Sequence, residues 1–196
     1  PHHLHRAALQ GRSVQVVGGS LDLVKTTIEA PKGLIRLEST APGGGINLEA
    51  SRLDLQVTNL ADLMAPASQP GGAATELRLT PLIHLRSQAD LSISQGSQLR
   101  ASQDLTSLRQ ALASRGEPWP DPTAIDLVET SGNVLLEAGR AVRITGSQIR
   151  ADASDNLAGN IALVARGTGS DGGIHLDNTT LSAQGGAGSG DIRLAS

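Results

Sequence analysis

The sequence predicts an all-β fold: a single right-handed parallel β-helix of about five rungs, with a corner insertion that contains a short α-helix. Three observations carry this. One phrase, a glycine followed by apolar, variable, apolar and small residues, recurs as GLIRLES (33–39), GINLEAS (45–51), GNVLLEA (132–138), GNIALVA (159–165) and GDIRLAS (190–196). Short runs of alternating apolar residues come about every ten residues, each too short to stand alone, so they must pair between repeats. The chain of 196 residues has no Phe, Tyr or Cys, one Met and a single large aromatic residue, Trp119. A core of Leu, Ile, Val and Ala suits a narrow, repetitive interior in which every layer offers the same small space.

Composition also closes off several classes. The 23 glycines do not recur at every third position, which excludes collagen. Apolar residues are too many and too periodic for a disordered chain. Net charge is -3, and the 14 Arg and two Lys are dispersed among acids without a basic block, so nucleic acid is not an expected partner. No apolar run approaches the roughly 20 residues of a membrane-spanning helix. The absence of cysteine removes disulfide and thiolate chemistry.

Each element follows from the repeat. VRITGSQIRAD (142–152) aligns with IHLDNTTLSAQ (174–184), placing Ile144 on Leu176 and Ile149 on Leu181 at an offset of 32. GNIALVA aligns with GDIRLAS at an offset of 31. Each unit therefore holds three strands in the same order. First strands begin near Leu21, Ile46, Leu91, Val142 and Ile174. Second strands centre on Ile28, Leu53, Leu99, Ile149 and Leu181, with one extra residue between Ile93 and Leu99. Third strands centre on Ile35, Ile83, Val134, Ile161 and Ile192. Period-two alternation buries one face of each strand. Gly, Asn, Asp and Ser at the joints supply the positive φ angles of tight corners. Five rungs stacked at about 4.8 Å give a rod of roughly 20–25 Å. Residues 1–10 match neither strand nor signal peptide and read as a tail or tag remnant, leaving 11–196 as the β-helix. With neither end showing an obvious cap, the chain is either part of a longer solenoid or stacks through its ends.

Two insertions interrupt the rungs, 58–75 and 103–123, both between second and third strands. In a stacked coil they emerge at one corner of neighbouring turns and form a lateral bulge. The second has helical spacing at Leu105, Leu108 and Leu112, with Ser102 or Asp104 to cap its start and Gly116 and Pro118 to end it. NLADLMA supports a shorter turn capped by Asn59. ELRLT (76–80) and IDLVE (125–129) read as a further strand pair. Trp119, in the stiff turn EPWPDP, is expected to cover the apolar stripe of the helix. Exposed instead, Trp119 with Arg115 is the candidate contact for a sugar or protein partner.

Candidate chemistry is sparse. GTGSDG (167–172) matches GxGxxG, but the strand IHLDN follows where a dinucleotide site needs a helix, so it reads as a glycine-rich corner. One imperfect copy supplies too few oxygens for calcium. His2, His3 and His5 are spaced for metal capture but fall in the expected tail. No HExxH, GxSxG or GxxxxGK is present, and neither catalytic residue, cofactor nor metal is assigned. Asp152, Asp155 and Asp177 are the acids that a polysaccharide-cleaving β-helix would need in one groove. Asp152 and Asp155 sit in ADASDN, where Asp and Asn also form turns. The outward residues Arg36, Asn47, Arg78, His84, Arg143, His175 and Arg193 read as a solvated face scattered over different strands.

From 11 to 196, VQVVGGSLDLVKTTIEAPKGLIRLES, GSQLRASQ, GSQIRADASDNLAGNIALVARG and TTLSAQGGAGSGDIRLAS resemble the filamentous haemagglutinin-like exoproteins of two-partner secretion. That family's secretion module carries an Asn-Pro-Asn-Gly-type motif, which is absent here, so the likeness is to the repeat shaft. The resemblance implies a Gram-negative producer, export through an outer-membrane barrel transporter, and a secreted or cell-surface location. The expected function is a non-enzymatic structural or adhesive segment that contacts host or cell-surface glycan or protein. The alternatives are a subunit that stacks end to end into a filament or sheath, and, third, a polysaccharide-active enzyme.

Overall fold

A computed structural model describes residues 2–57, 61, 81–103, 105–120, 132–154 and 157–196. Eighteen strands among them form three six-stranded sheets, and every pairing between strands is parallel. Coil one holds β1 (His2–His5), β2 (Ala8–Gln10) and β3 (Ser13–Gly18); coil two holds β4 (Leu21–Val24), β5 (Thr27–Glu29) and β6 (Leu34–Ser39). Coil three follows with β7 (Ile46–Glu49), β8 (Arg52–Asp54) and β9 (Leu82–Ser87), and coil four with β10 (Leu91–Ser94), β11 (Gln98–Arg100) and β12 (Asn133–Ala138). Coil five is β13 (Ala141–Thr145), β14 (Gln148–Arg150) and β15 (Ile161–Ala165); coil six is β16 (Gly173–Asp177), β17 (Thr180–Ser182) and β18 (Ile192–Ala195). First strands make sheet one, second strands sheet two and third strands sheet three, each ordered coil by coil.

This is the parallel β-helix that the repeat predicts, with one coil more. The expected tail is corrected: residues 2–10 form β1 and β2, which pair in register with β4 and β5, His2 on Leu21 and Leu9 on Ile28. The reason is backbone hydrogen bonding, which does not require the aliphatic phrase. The His2 amide donates to the Ser20 carbonyl at 2.9 Å and the Arg6 amide to that of Val24 at 2.9 Å.

The interior consists of columns of like residues. Ile144 lies between Ile93 and Leu176, and Ile149 between Leu99 and Leu181. Leu23, Leu48, Ile93 and Ile144 are wholly buried, as are Ile35, Ile83 and Ile161. Each such side chain contributes about 1.5–3 kcal/mol relative to exposure. No ring belongs to this core. Flat stacking requires each layer to match the next in height, and aliphatic chains repeating at the strand spacing meet that condition.

The corner between sheets one and two is where local propensity and packing disagree. Arg6, Lys25, Ala50, Gln95, Gly146 and Asn178 occupy equivalent positions there, all with φ between 46° and 56°. The expectation that Gly and Asn supply these angles holds at Gly146 and Asn178 and is corrected at the other four. A left-handed conformation costs a residue with a side chain about 1–2 kcal/mol. Contacts to neighbouring coils offset it: the Lys25 amide donates to the Glu49 carbonyl at 2.9 Å, and that of Ala50 to Ser94 at 3.2 Å. Hydroxyls follow in five coils, at Thr26, Ser51, Ser97, Ser147 and Thr179, the first four buried. The Ser51 hydroxyl donates to the Leu23 carbonyl at 3.0 Å and accepts the Thr26 amide at 3.1 Å. Ser97 repeats this on Leu48 and Ser51. The extra residue before Leu99 is absorbed here, because both Gln95 and Gly96 take positive φ.

Most of the glycines that open the repeated phrase serve a different purpose. Gly33, Gly132 and Gly190 precede the third strands with no positive φ. A side chain at Gly33 would strike the Arg12 carbonyl, and one at Gly190 the Gly159 carbonyl. Glycine is needed there for close approach of one coil's backbone to the next.

Candidate interaction surface

The second insertion leaves the coil after β11 and carries helix α1 (Thr106–Ser114). Its spacing does what the sequence implies: Leu105, Leu108 and Leu112 are buried, in a cluster of their own with Val57 of coil three. Trp119 is half-buried against that cluster, as expected of a cover for the apolar stripe. The Arg109 guanidinium lies over its ring, 4.9 Å from the centroid, a cation–π geometry. Arg115 is exposed, and its Nε pairs with Glu117 at 3.0 Å. The two predicted contact residues thus stand four positions apart just past the helix, with Arg109 as the third member that sequence reasoning missed. It lies ten residues before Trp119 and exposed on α1, a spacing that does not by itself mark a cation–π pair.

The capping expectation is corrected. The residue before the helix is Leu105, with no side-chain cap, and the Ser102 hydroxyl instead accepts the Asp152 amide at 3.2 Å. Asp104 lies outside the described residues. The helix ends as predicted at Gly116, φ 70°. The NLADLMA turn with its Asn59 cap, and the runs at 76–80 and 125–129, fall outside the described residues, apart from exposed Ala61. So do most of 58–75 and 121–123. Val57, packed against α1 at the root of the first insertion, is the described link between the two insertions.

The outer faces carry more order than the sequence suggested. Arg36 and His84 are register partners on sheet three, with Arg193 further along the same column. Asn47, Arg143 and His175 share a column on sheet one. Arg78 is outside the described residues. Two glutamates each hold two basic side chains on sheet three. Glu38 pairs with Arg36 at 2.6 Å and Arg86 at 3.8 Å. Glu137 takes His84 at 2.9 Å and Arg166 at 3.1 Å. Such pairs at the protein surface are each worth about 0–1 kcal/mol, but they fix the order of polar side chains from coil to coil. Arg140 of coil five grips Asp90 of coil four with two nitrogens. That hydrogen-bonded guanidinium holds the Asp90 carboxyl below its ordinary value and raises Arg140 in turn.

Of the acids considered for catalysis, the two described, Asp152 and Asp177, belong to different sheets. Asp152 follows β14 of sheet two, and its Oδ1 accepts from the Ser182 hydroxyl at 2.6 Å and the Gln184 amide at 2.9 Å. It is a turn acceptor binding coil five to coil six. Asp177 is exposed on β16 of sheet one, and Asp155 lies outside the described residues. His3 pairs with Asp22 at 3.3 Å across coils. Among the described residues, no group of three His, Cys, Asp or Glu could hold a metal ion. In the glycine-rich corner, His175 Nε2 meets the Gly172 carbonyl at 2.9 Å and Arg143 donates to that of Asp171 at 2.7 Å, so both side chains brace the loop. Among the described residues, no helix is long and apolar enough to cross a membrane. No protein-family model matches the chain, and neither a curated protein nor a solved structure does.

Proposed function

We propose that this chain is a non-enzymatic structural and adhesive segment of a secreted or cell-surface exoprotein of the filamentous haemagglutinin-like kind. The observation that supports it is the run of six coils in register, with the aliphatic columns of coils two to five wholly buried. Such a body is stiff along its axis, because bending it would open backbone ladders on all three sheets at once. The ordered charges on the outside and the Trp119, Arg109 and Arg115 group on the bulge are what it offers to a partner. Its export partner would be an outer-membrane barrel transporter, and its ligand a glycan or protein of a cell surface.

The test is binding of the fluorescently labelled chain to intact cells and immobilised glycans, beside Trp119→Ala and Arg115→Ala variants. Saturable binding, weakened severalfold in the variants, supports the reading. Absence of saturable binding sinks the adhesive part, and release of reducing sugar from a polysaccharide panel sinks the non-enzymatic part.

A further inference from the structure

The corner that joins β15 to β16, residues 166–172, holds Asp171 followed by Gly172, and no other Asp-Gly or Asn-Gly pair occurs in the sequence. In such a pair the amide nitrogen of the glycine can attack the side-chain carboxyl carbon of the aspartate. Glycine favours this, because it places no side chain beside the forming ring. The structure adds three observations. Asp171 is exposed, so water reaches it. Arg143 of β13 donates to the Asp171 carbonyl at 2.7 Å. That carbonyl belongs to the very peptide bond whose nitrogen is the nucleophile. A charge-assisted hydrogen bond to it draws electron density from the nitrogen and stabilises the amide anion that must form. Third, the Gly172 N–H is held by the Gly169 carbonyl at 3.2 Å, the long end of the range for such a bond.

We infer that Asp171 is a site of self-modification: promoted by Arg143, the folded chain converts it to isoaspartate through a succinimide. The steps balance with water as the one co-reactant. The Gly172 nitrogen gives up its proton and bonds to the Asp171 Cγ, and one carboxyl oxygen leaves as water, closing a five-membered imide. Water then adds to the backbone carbonyl carbon of residue 171 and breaks its bond to the Gly172 nitrogen, which regains a proton. The backbone now runs through Cγ, one carbon longer, and the mass is unchanged. The coils accommodate the added atom, because 166–172 is longer than the other corners between third and first strands, at 19–20, 40–45, 88–90 and 139–140. The inference goes beyond the adhesive reading and does not depend on it.

The test is incubation of the 196-residue chain at neutral pH, native and in urea, followed by trypsin digestion. The tryptic peptide 167–193 is separated by chromatography into two species of one mass, and hydroxylamine cleavage between 171 and 172 traps the succinimide. Isoaspartate is expected to accumulate severalfold faster in the native chain than in urea. Arg143→Gln, with circular dichroism showing the coils intact, should lower the native rate to that in urea. Asp171→Glu should abolish the signal, since its side chain would have to close a larger ring. A native rate no higher than the rate in urea overturns the inference, and this comparison needs no variant. So does an Arg143→Gln rate equal to that of the native wild type, or isoaspartate that persists in Asp171→Glu.

Discussion

The corner between sheets one and two permits a paired test of how much backbone strain the stacked coils hold. Gln95 and Gly146 stand at equivalent positions of coils four and five, at φ 55° and 56°, and the Gly96 amide donates to the Gly146 carbonyl at 3.0 Å. Gln95 is exposed, and nothing lies within 4 Å of a first side-chain carbon built at Gly146. Substitution at either place therefore changes conformational energy and little else. Gly146→Ala forces a left-handed alanine, costing about 1–2 kcal/mol, and gains about 0.4–1 kcal/mol from a stiffer unfolded chain. The expected net is a loss of about 0.5–1 kcal/mol. Gln95→Gly reverses both contributions, for a gain of about the same size. In a protein of this length 1 kcal/mol moves the melting midpoint by about 2–4 °C. Thermal and urea melts followed by far-ultraviolet circular dichroism would show the two variants on opposite sides of wild type. Gly146→Asn should fall between Gly146→Ala and wild type, because Asn tolerates this region and Asn178 already occupies it at φ 46°. If Gln95→Gly destabilises, or if both variants shift in one direction, the corner is not strained and the account of it fails.

Gly190→Ala should cost several times more than Gly146→Ala in the same urea titration, since its methyl would strike the Gly159 carbonyl instead of open space; equal costs would refute the close-approach role. Leu112→Ala, at a wholly enclosed position in the bulge cluster, should cost about 2–5 kcal/mol locally. Because Trp119 is the only tryptophan and the chain has no tyrosine, its fluorescence transition should move to lower urea while the dichroism transition of the coils stays in place; joint movement would show that bulge and coils unfold together. The stability that Asp90 gains from Arg140 is present above its unfolded value of 3.8 and is lost as pH falls from there through the lower folded value. Wild type should therefore exceed Asp90→Asn in stability at neutral pH, with the gap closing below about pH 3.8, and a gap that widens in acid would contradict the pairing.

Local sequence was sufficient for the strands of coils two to six, because alternation with period two in an aliphatic alphabet is a property of neighbouring residues. The offset of 32 between Ile144 and Leu176 is likewise the register found. α1 was legible from three leucines and Gly116, though its cap was not, since the Ser102 hydroxyl is taken by Asp152 from the adjacent coil. Trp119 was legible as a cover for the helix, and its partner Arg109 was overlooked because cation–π contacts leave no fixed spacing.

What the sequence determined by itself was therefore the identity and order of the buried columns, and with them the fold. Only the tertiary structure decided that residues 2–10 are strands, that Arg6, Lys25, Ala50 and Gln95 take a glycine-like conformation, and that Gly33 and Gly190 are there for clearance. It also sorted the scattered outward charges into columns. The physical reason is common to all four: each depends on backbone or side-chain contacts between coils, made by residues about 20–50 positions apart. A periodic pattern records which way a side chain faces, but the neighbour above or below comes into view only once the coil is wound.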